Sequence, residues 1–252
     1  MVGIDRKTYH YQSKLNADNE VIQSLLRELS SQHPQYGFKS LLGLLKLQGY
    51  RWNHKRVKRI YCELKLNLKR KPKKRLAPRT AEKLTIPEVA NDTWSIDFMH
   101  DALTYGRRFR TMNIIDDYRR QCLGIKIGFS ITSRMATQYL DEVALKHGYP
   151  KIIRLDNGVE HRAKHFIKWA KTRGIYLKFI QPGKPAQNAY IERFNRTYRE
   201  AVLDMFLFDS LREAKQLTQE WIRHYNYERP HQALGMKPPI IGEQQNSLLK
   251  VR

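Results

Sequence analysis

The chain has 252 residues, room for one large domain or two modest ones, and 41% of them are hydrophobic, enough for a real core and too many for wholesale disorder. Lys and Arg number 47 against 24 Asp and Glu, a formal net charge of +23, so a polyanionic partner is expected, nucleic acid before an anionic membrane surface. No apolar run approaches the roughly 20 residues of a membrane span, Met1–Gln12 lacks the apolar centre of a signal peptide, and two cysteines, Cys62 and Cys122, give neither a zinc set nor a disulfide framework, which fits a reducing cytosol.

Residues 1–65 read as a helix-turn-helix-like domain of three helices. The first lies near Asp18–Ser31, with Val21, Ile22, Leu25, Leu26 and Leu29 on one face. The second, near Tyr36–Leu47, is leucine-rich and stops at Gly49. The third follows Asn53, a good N-cap, and places Val57, Ile60, Tyr61 and Leu64 at i, i+3, i+4 and i+7. Its other face carries His54, Lys55, Arg56, Lys58, Arg59 and Lys65. That pattern suits a helix entering a DNA groove, with Lys55, Arg56 and Arg59 as contacts, and equally suits a small bundle with a charged exterior. Lys and Arg mostly hold phosphates, so no base readout follows.

Residues 66–90 read as a linker, because Lys69–Arg75 is basic at all positions but Pro72 and such a run repels itself. Residues 91–239 form the third division. Runs at Trp94–Phe98, Phe109–Ile115 and Cys122–Phe129, separated only by polar turns, predict an antiparallel meander. A helix over Ser133–His147 ends at Gly148 and Pro150. A strand at Ile152–Leu155, a helix over Lys164–Thr172 and a strand at Tyr176–Ile180 follow, then helices over Asn188–Val202 and Ser210–Tyr225. Three strands followed by alternating helix and strand describe an α/β mixed sheet with helices packed on it. Residues 228–239 are expected to be irregular and 240–252 a frayed tail.

Three carboxylates stand out. Asp97 lies inside an apolar strand between Ile96 and Phe98, which is costly unless it is paired or holds a metal. Asp156 ends the strand IIRL before Asn157-Gly158. Glu192 sits on a helix begun near Pro185 and Asn188, which is expected to turn it inward. An Asp ending a strand is more often a turn former, and a Glu on a helix is usually solvated. Delivered to one point, the three suit hard divalent cations. Two such ions 3.5–4 Å apart, by a general rule, activate an attacking oxygen and stabilise a leaving oxygen at phosphorus.

The spacing leaves 35 residues between Asp156 and Glu192. With WSIDF at 94–98, DDYRR at 116–120, RLDNG at 154–158, PGKPAQNAYIERFN at 182–195 and YNYERPHQALG at 225–235, the chain resembles the DDE transposases encoded by the second frame of two-frame bacterial insertion sequences, relatives of retroviral integrases. The N-terminal QYGFKS and NHKRVKRIY segments resemble that family's helix-turn-helix. The resemblance implies a ribonuclease-H-like core, a five-stranded mixed sheet flanked by helices. It implies that Asp97, Asp156 and Glu192 hold two Mg²⁺ or Mn²⁺ ions, that water frees a 3′-OH at an element end, and that this hydroxyl attacks a second phosphodiester. DNA is the implied partner, with a homo-oligomer on DNA and an upstream-frame partner or fusion, in the bacterial cytoplasm at the nucleoid.

Asn188, Arg196 and Arg199 stand at −4, +4 and +7 from Glu192 on one helical face, and Lys184 precedes the helix. All four are expected to touch DNA; a surface salt bridge to Glu192 or Glu200 is the plainer role for the two arginines. The chain departs from the family at Val159-Glu160-His161, where Pro-Glu-Phe is usual, and at Arg196, where Gly is common. His161 and His165 lack a third metal ligand and read as polar surface or loop packing. Asp116 and Asp117 read as turn formers. Trp94, Trp169 and Trp221 read as core, with Trp52 anchoring the N-terminal bundle. Tyr225, Tyr227 and Arg229 read as packing of the last helix before base stacking. The competing functions are a catalytically silent DNA-binding protein or regulator derived from a transposase, and a nuclease that breaks DNA without joining it.

Overall fold

The computed structural model describes residues 18–68, 87–156, 158–180 and 188–240; the basic run Lys69–Arg75, Lys184 and the tail from residue 241 lie outside them. The chain divides into two compact units, Met1–Pro72 and Lys73–Arg252.

The first unit holds α1 (Asp18–Gln32), α2 (Phe38–Leu47) and α3 (His54–Glu63). Their apolar stripes meet at Ile22, Leu26, Leu41, Leu45, Val57 and Ile60, all essentially inaccessible to water. The Asn53 side chain accepts from the Lys55 amide at 2.9 Å, the expected cap. Trp52 packs at the edge of this core, stacked on Tyr50 at 4.4 Å between ring centres.

The second unit is built on a five-stranded sheet of order β3-β2-β1-β4-β5. Strands β1 (Thr93–Ala102), β2 (Arg108–Asp116) and β3 (Cys122–Gly128) form the predicted antiparallel meander. The β1–β2 ladder runs on to Ala102↔Arg108, past the apolar run, because backbone pairing continues after side chains turn polar. Strands β4 (Ile152–Leu155) and β5 (Tyr176–Phe179) continue the sheet in parallel beside β1. Helix α4 (Ser133–His147) makes the first crossover, and α5 (Val159–Arg162) with α6 (Lys164–Thr172) the second. The four-residue α5 was not expected from the sequence.

Alternation along the strands divides the core in two. Trp94, Ile96, Met112, Ile114, Ile153 and Leu155 pack against α4 and α6. Met99, Phe109, Ile115, Ile125 and Ile127 pack against α7 (Ala189–Tyr198) and α8 (Leu211–Tyr227). The helix expected over Asn188–Val202 is α only to Tyr198 and finishes as a π-turn over Arg199–Leu203. Trp94, Trp169 and Trp221 are buried, as expected. Where β3 opens into a bulge, the Asn226 side chain accepts from the Cys122 amide at 2.9 Å and donates to its carbonyl at 2.8 Å, standing in for a strand neighbour.

Asp116 and Asp117 divide their roles. Asp116 accepts from the amides of Tyr118 and Arg119 at 2.8 and 2.7 Å, forming the expected turn. Asp117 is fully buried against Arg154 of β4 at 2.7 Å. Burial raises its carboxyl to about 6 even though Arg154 pulls it down.

Candidate active site

Two strand registers place Asp97. Antiparallel pairing sets it opposite Asn113 on β2. Parallel pairing ends at Ser95 beside Arg154; two residues further along each chain, Asp97 and Asp156 fall on the same face by alternation, and the Asp156 charge reaches Asp97. Asp156 is the first residue past β4, and Glu192 occupies the first turn of α7, which packs on the same face.

The Asp97 carboxylate is half-buried and held at both oxygens. Oδ1 accepts from the Phe98 amide at 2.9 Å, and Oδ2 accepts from Asn195 Nδ2 at 2.7 Å. Asn195 Oδ1 in turn accepts from Asn113 Nδ2 at 2.7 Å. One polar chain thus joins β2, α7 and β1. Burial raises the Asp97 carboxyl to about 6; the Phe98 amide and His161 pull it down, and the charges of Asp156 and Glu192 push it up.

Asp156 is fixed by its own loop. Oδ1 accepts from the Gly158 amide at 3.0 Å and lies 2.9 Å from His161 Nδ1. The His161 hydrogen bond holds the Asp156 carboxyl below its ordinary range, against the effect of burial. A Cβ at position 158 would lie 2.9 Å from that same oxygen, so any larger residue there would displace the Asp156 carboxylate. The His161 ring is fully buried, stacked on Phe98 at 5.2 Å and edge-on to Phe166 at 5.5 Å. Its neighbour Glu160 pairs with Arg110, whose guanidinium lies 4.5 Å over the Phe98 ring.

Three expectations need correction. Glu192 is exposed at the rim of the site, not turned inward. Asn188 is buried, so it cannot be a surface contact. Arg56 is drawn into the bundle, its Nε donating to Asn19 at 2.9 Å and its Nη1 pairing with Asp18 at 3.2 Å, which removes it from the open basic face. Lys55 and Arg59 remain exposed, Arg59 within 3.5 Å of Glu63. Arg196 is exposed, while Arg199 donates to the His100 carbonyl at 3.0 Å and pairs with Asp204 at 3.6 Å instead of with Glu192 or Glu200.

Asp97 is brought beside Asp156, and Glu192 comes close enough to act on its charge. Among the described residues no three acidic, imidazole or thiol groups stand close enough to grip a metal ion. Asn195 and His161 hold the two aspartates meanwhile. Asn113, Asn195 and His161 were missed as site residues. The signals were an amide inside an apolar strand, an amide one helical turn after Glu192, and a histidine five residues after Asp156.

Two integrase core domain families match residues 87–185 and 173–239, and an HTH-like domain family matches residues 17–75. A 31.7 kDa protein of insertion element IS407 from Burkholderia multivorans is 37% identical over 239 residues, 95% of this chain and 86% of that protein. The transposase InsD of insertion element IS2D from Escherichia coli is 28% identical over 219 residues, 82% of this chain and 72% of its own. In fold, the chain is similar to one from the simian T-cell lymphotropic virus intasome, with a TM-score of 0.50 at 18% identity, covering 79% of this chain and 68% of that one. The sheet order, the helices on both faces and the family matches make the second unit a ribonuclease-H-like integrase fold, preceded by an HTH-like helical unit. The chain belongs to the integrase-core transposases of bacterial insertion elements.

Proposed function

We propose that this transposase cuts and joins DNA strands by divalent-metal-assisted phosphoryl transfer, with Asp97, Asp156 and Glu192 as the metal-holding carboxylates. The observation that supports the reading best is that the charges of Asp156 and Glu192 both reach Asp97, on the sheet face that the helix bearing Glu192 covers. The donor set fits a hard cation, because all three groups offer oxygen and Asp97 already feels excess negative charge from the other two. When bound, two Mg²⁺ or Mn²⁺ ions would activate the attacking oxygen and neutralise charge on the leaving one.

The chain's own residues do the positioning. Asn195 orients Asp97, and His161 with the Gly158 amide orients Asp156. Glu192 at the open rim leaves room for a DNA strand to approach. Arg196 is exposed one turn along from it to meet a phosphate, and Arg199 is held beside the end of β1. In the helical unit, Lys55 and Arg59 present charge to the DNA backbone. The chain acts as a homo-oligomer on DNA, and a product of the upstream frame supplies recognition of the element's ends. A silent DNA-binding protein would have no use for a buried amide chain that orients one acid.

Calorimetric titration with Mn²⁺ tests this. Wild type should show saturable binding that weakens at least tenfold in Asp97→Asn and in Glu192→Gln. Equal heats from all three would favour the silent DNA-binding protein.

A further inference from the structure

Three of the motifs meet away from the carboxylates, where the β2–β3 turn faces the start of α7 and the end of α8. Arg120, from DDYRR, has a left-handed backbone with φ of 59°. Its guanidinium lies 3.4 Å over the ring of Tyr190 on α7. Tyr225, from YNYERPH, donates its hydroxyl to the Arg120 carbonyl at 3.1 Å. The Tyr225 ring meets His231 edge-on at 4.7 Å and has the Arg229 guanidinium 6.0 Å above it. Arg193, one turn after Tyr190 on α7, is exposed on the same side.

Arg120 and Arg193 bring positive charge together here, and the field of Arg120 reaches Asp117. Neither Arg120 nor Arg193 makes an ion pair among the described residues. Three acids of these motifs have other partners: Asp117 pairs with Arg154, Asp116 accepts from the turn amides, and Glu228 lies 3.1 Å from His224. His231 records the field. Burial first, then Arg229, Arg193 and Arg120, push it down to about 3, so it stays neutral among the arginines. A guanidinium stacked by its face on a tyrosine keeps its edge N–H groups for a bidentate acceptor. Arg120 Nη1 is itself buried and has no hydrogen-bond partner among the described residues, so an approaching anion must meet the rest of the guanidinium edge. Charge concentrated at such a point in a chain of net charge +23 is best relieved by an anion.

We infer that Arg120 and Arg229, set on Tyr190 and Tyr225, together with the exposed Arg193 form a second phosphodiester-binding surface that grips the DNA backbone away from the carboxylates. It rests on the reading of the chain as a DNA-acting transposase. Arg193 directly follows Glu192, so a strand lying across this surface leads toward the proposed reaction centre. The DDYRR and YNYERPH motifs are thereby DNA-holding parts, not only packing.

The test is fluorescence anisotropy of the full chain with a labelled duplex of about 30 base pairs, roughly three helical turns, across a salt series. Each phosphate contact contributes a slope of about −0.9 in log K against log salt. Arg193→Gln should reduce the slope by about one contact and Arg120→Gln/Arg193→Gln by about two, with Kd at moderate salt weakened about tenfold. Arg193→Lys should restore the slope. Arg212→Gln, an exposed arginine at the start of α8, serves as the charge control and should change it by less than half a contact. Because Arg193 is exposed, its single variant keeps the test valid if the double variant melts early. An unchanged slope in Arg193→Gln, or an equal drop in Arg212→Gln, overturns the inference. The readout needs no strand cleavage, so it stands even if Glu192→Gln proves as active as wild type and the catalytic reading fails.

Discussion

Asn195 donates to Asp97 at 2.7 Å and accepts from Asn113 at 2.7 Å, which ties the helix carrying Glu192 to the strand carrying Asp97. Asn195→Ala should free that carboxylate and slow strand transfer by about 10²-fold, the scale of an ångström-sized misplacement. Loss of one buried and one partly buried hydrogen bond should also cost about 1–3 kcal/mol. Single-turnover rates, DNA anisotropy and thermal melts measured together separate the effects: the rate falls while the Kd for DNA holds. Asn195→Asp should be slower still, since it adds negative charge beside Asp97. A rate within twofold of wild type in Asn195→Ala would remove its positioning role.

The Arg154–Asp117 pair is buried at both ends. Removing Asp117 takes away the buried carboxylate that pairs with Arg154, so Asp117→Ala alone should destabilise the second unit by about 3–5 kcal/mol. The paired exchange Asp117→Leu/Arg154→Met should recover much of that loss. Denaturant melts of the single and double variants check it. A double variant as unstable as the single would mean the pair contributes more than its mutual neutralisation.

His231 gives a pH dependence with a definite sign. Its folded pKa is pushed down to about 3 while its unfolded value stays near 6.5. Between those values the unfolded chain binds the extra proton. Stability is therefore complete above about pH 6.5 and falls with acidification, by at most about 1.4 kcal/mol per pH unit from this group. His231→Phe should flatten the change in melting temperature between about pH 7.5 and about pH 5 relative to wild type. Parallel curves for the two proteins would contradict the assignment.

In the helical unit the basic face divides into structural and functional charges. Arg56→Gln should lower stability by about 1 kcal/mol, because it loses hydrogen bonds to Asn19 and Asp18. It should leave the salt slope of DNA binding almost unchanged. Lys55→Gln/Arg59→Gln should do the reverse, since both residues are exposed. Melts and anisotropy on the same preparations decide it.

Much of this architecture was legible from periodicity. The three apolar stripes of the helical unit, the Asn53 cap and the meander of β1 to β3 follow from local rules, and the structure has them. Strand ends were read short on β1 because pairing with β2 outlasts the apolar run. The π-turn at Arg199–Leu203 left no signal, since its residues continue an ordinary helical pattern. In the proposed site, Asp97 stood out in the sequence because a carboxylate inside an apolar strand is costly. The supports of the acids did not. Asn113 and Asn195 are far apart in sequence and become partners only when α7 lies on the sheet. His161 could be recognised only once Phe98 and Phe166 enclosed it. Arg56 illustrates the opposite error: a helical wheel shows its face but not the two acceptors waiting on α1.

The most direct measurement uses a branched oligonucleotide that mimics a strand-transfer product and bypasses recognition of element ends. Wild type and Glu192→Gln are incubated with it in Mg²⁺ and in Mn²⁺, alongside an anisotropy check that both bind it. The account predicts resealing by wild type in the presence of either ion and loss of at least 10³-fold in Glu192→Gln, equivalent to about 4 kcal/mol of transition-state stabilisation. Resealing by Glu192→Gln at the wild-type rate would contradict a reaction built on Asp97, Asp156 and Glu192.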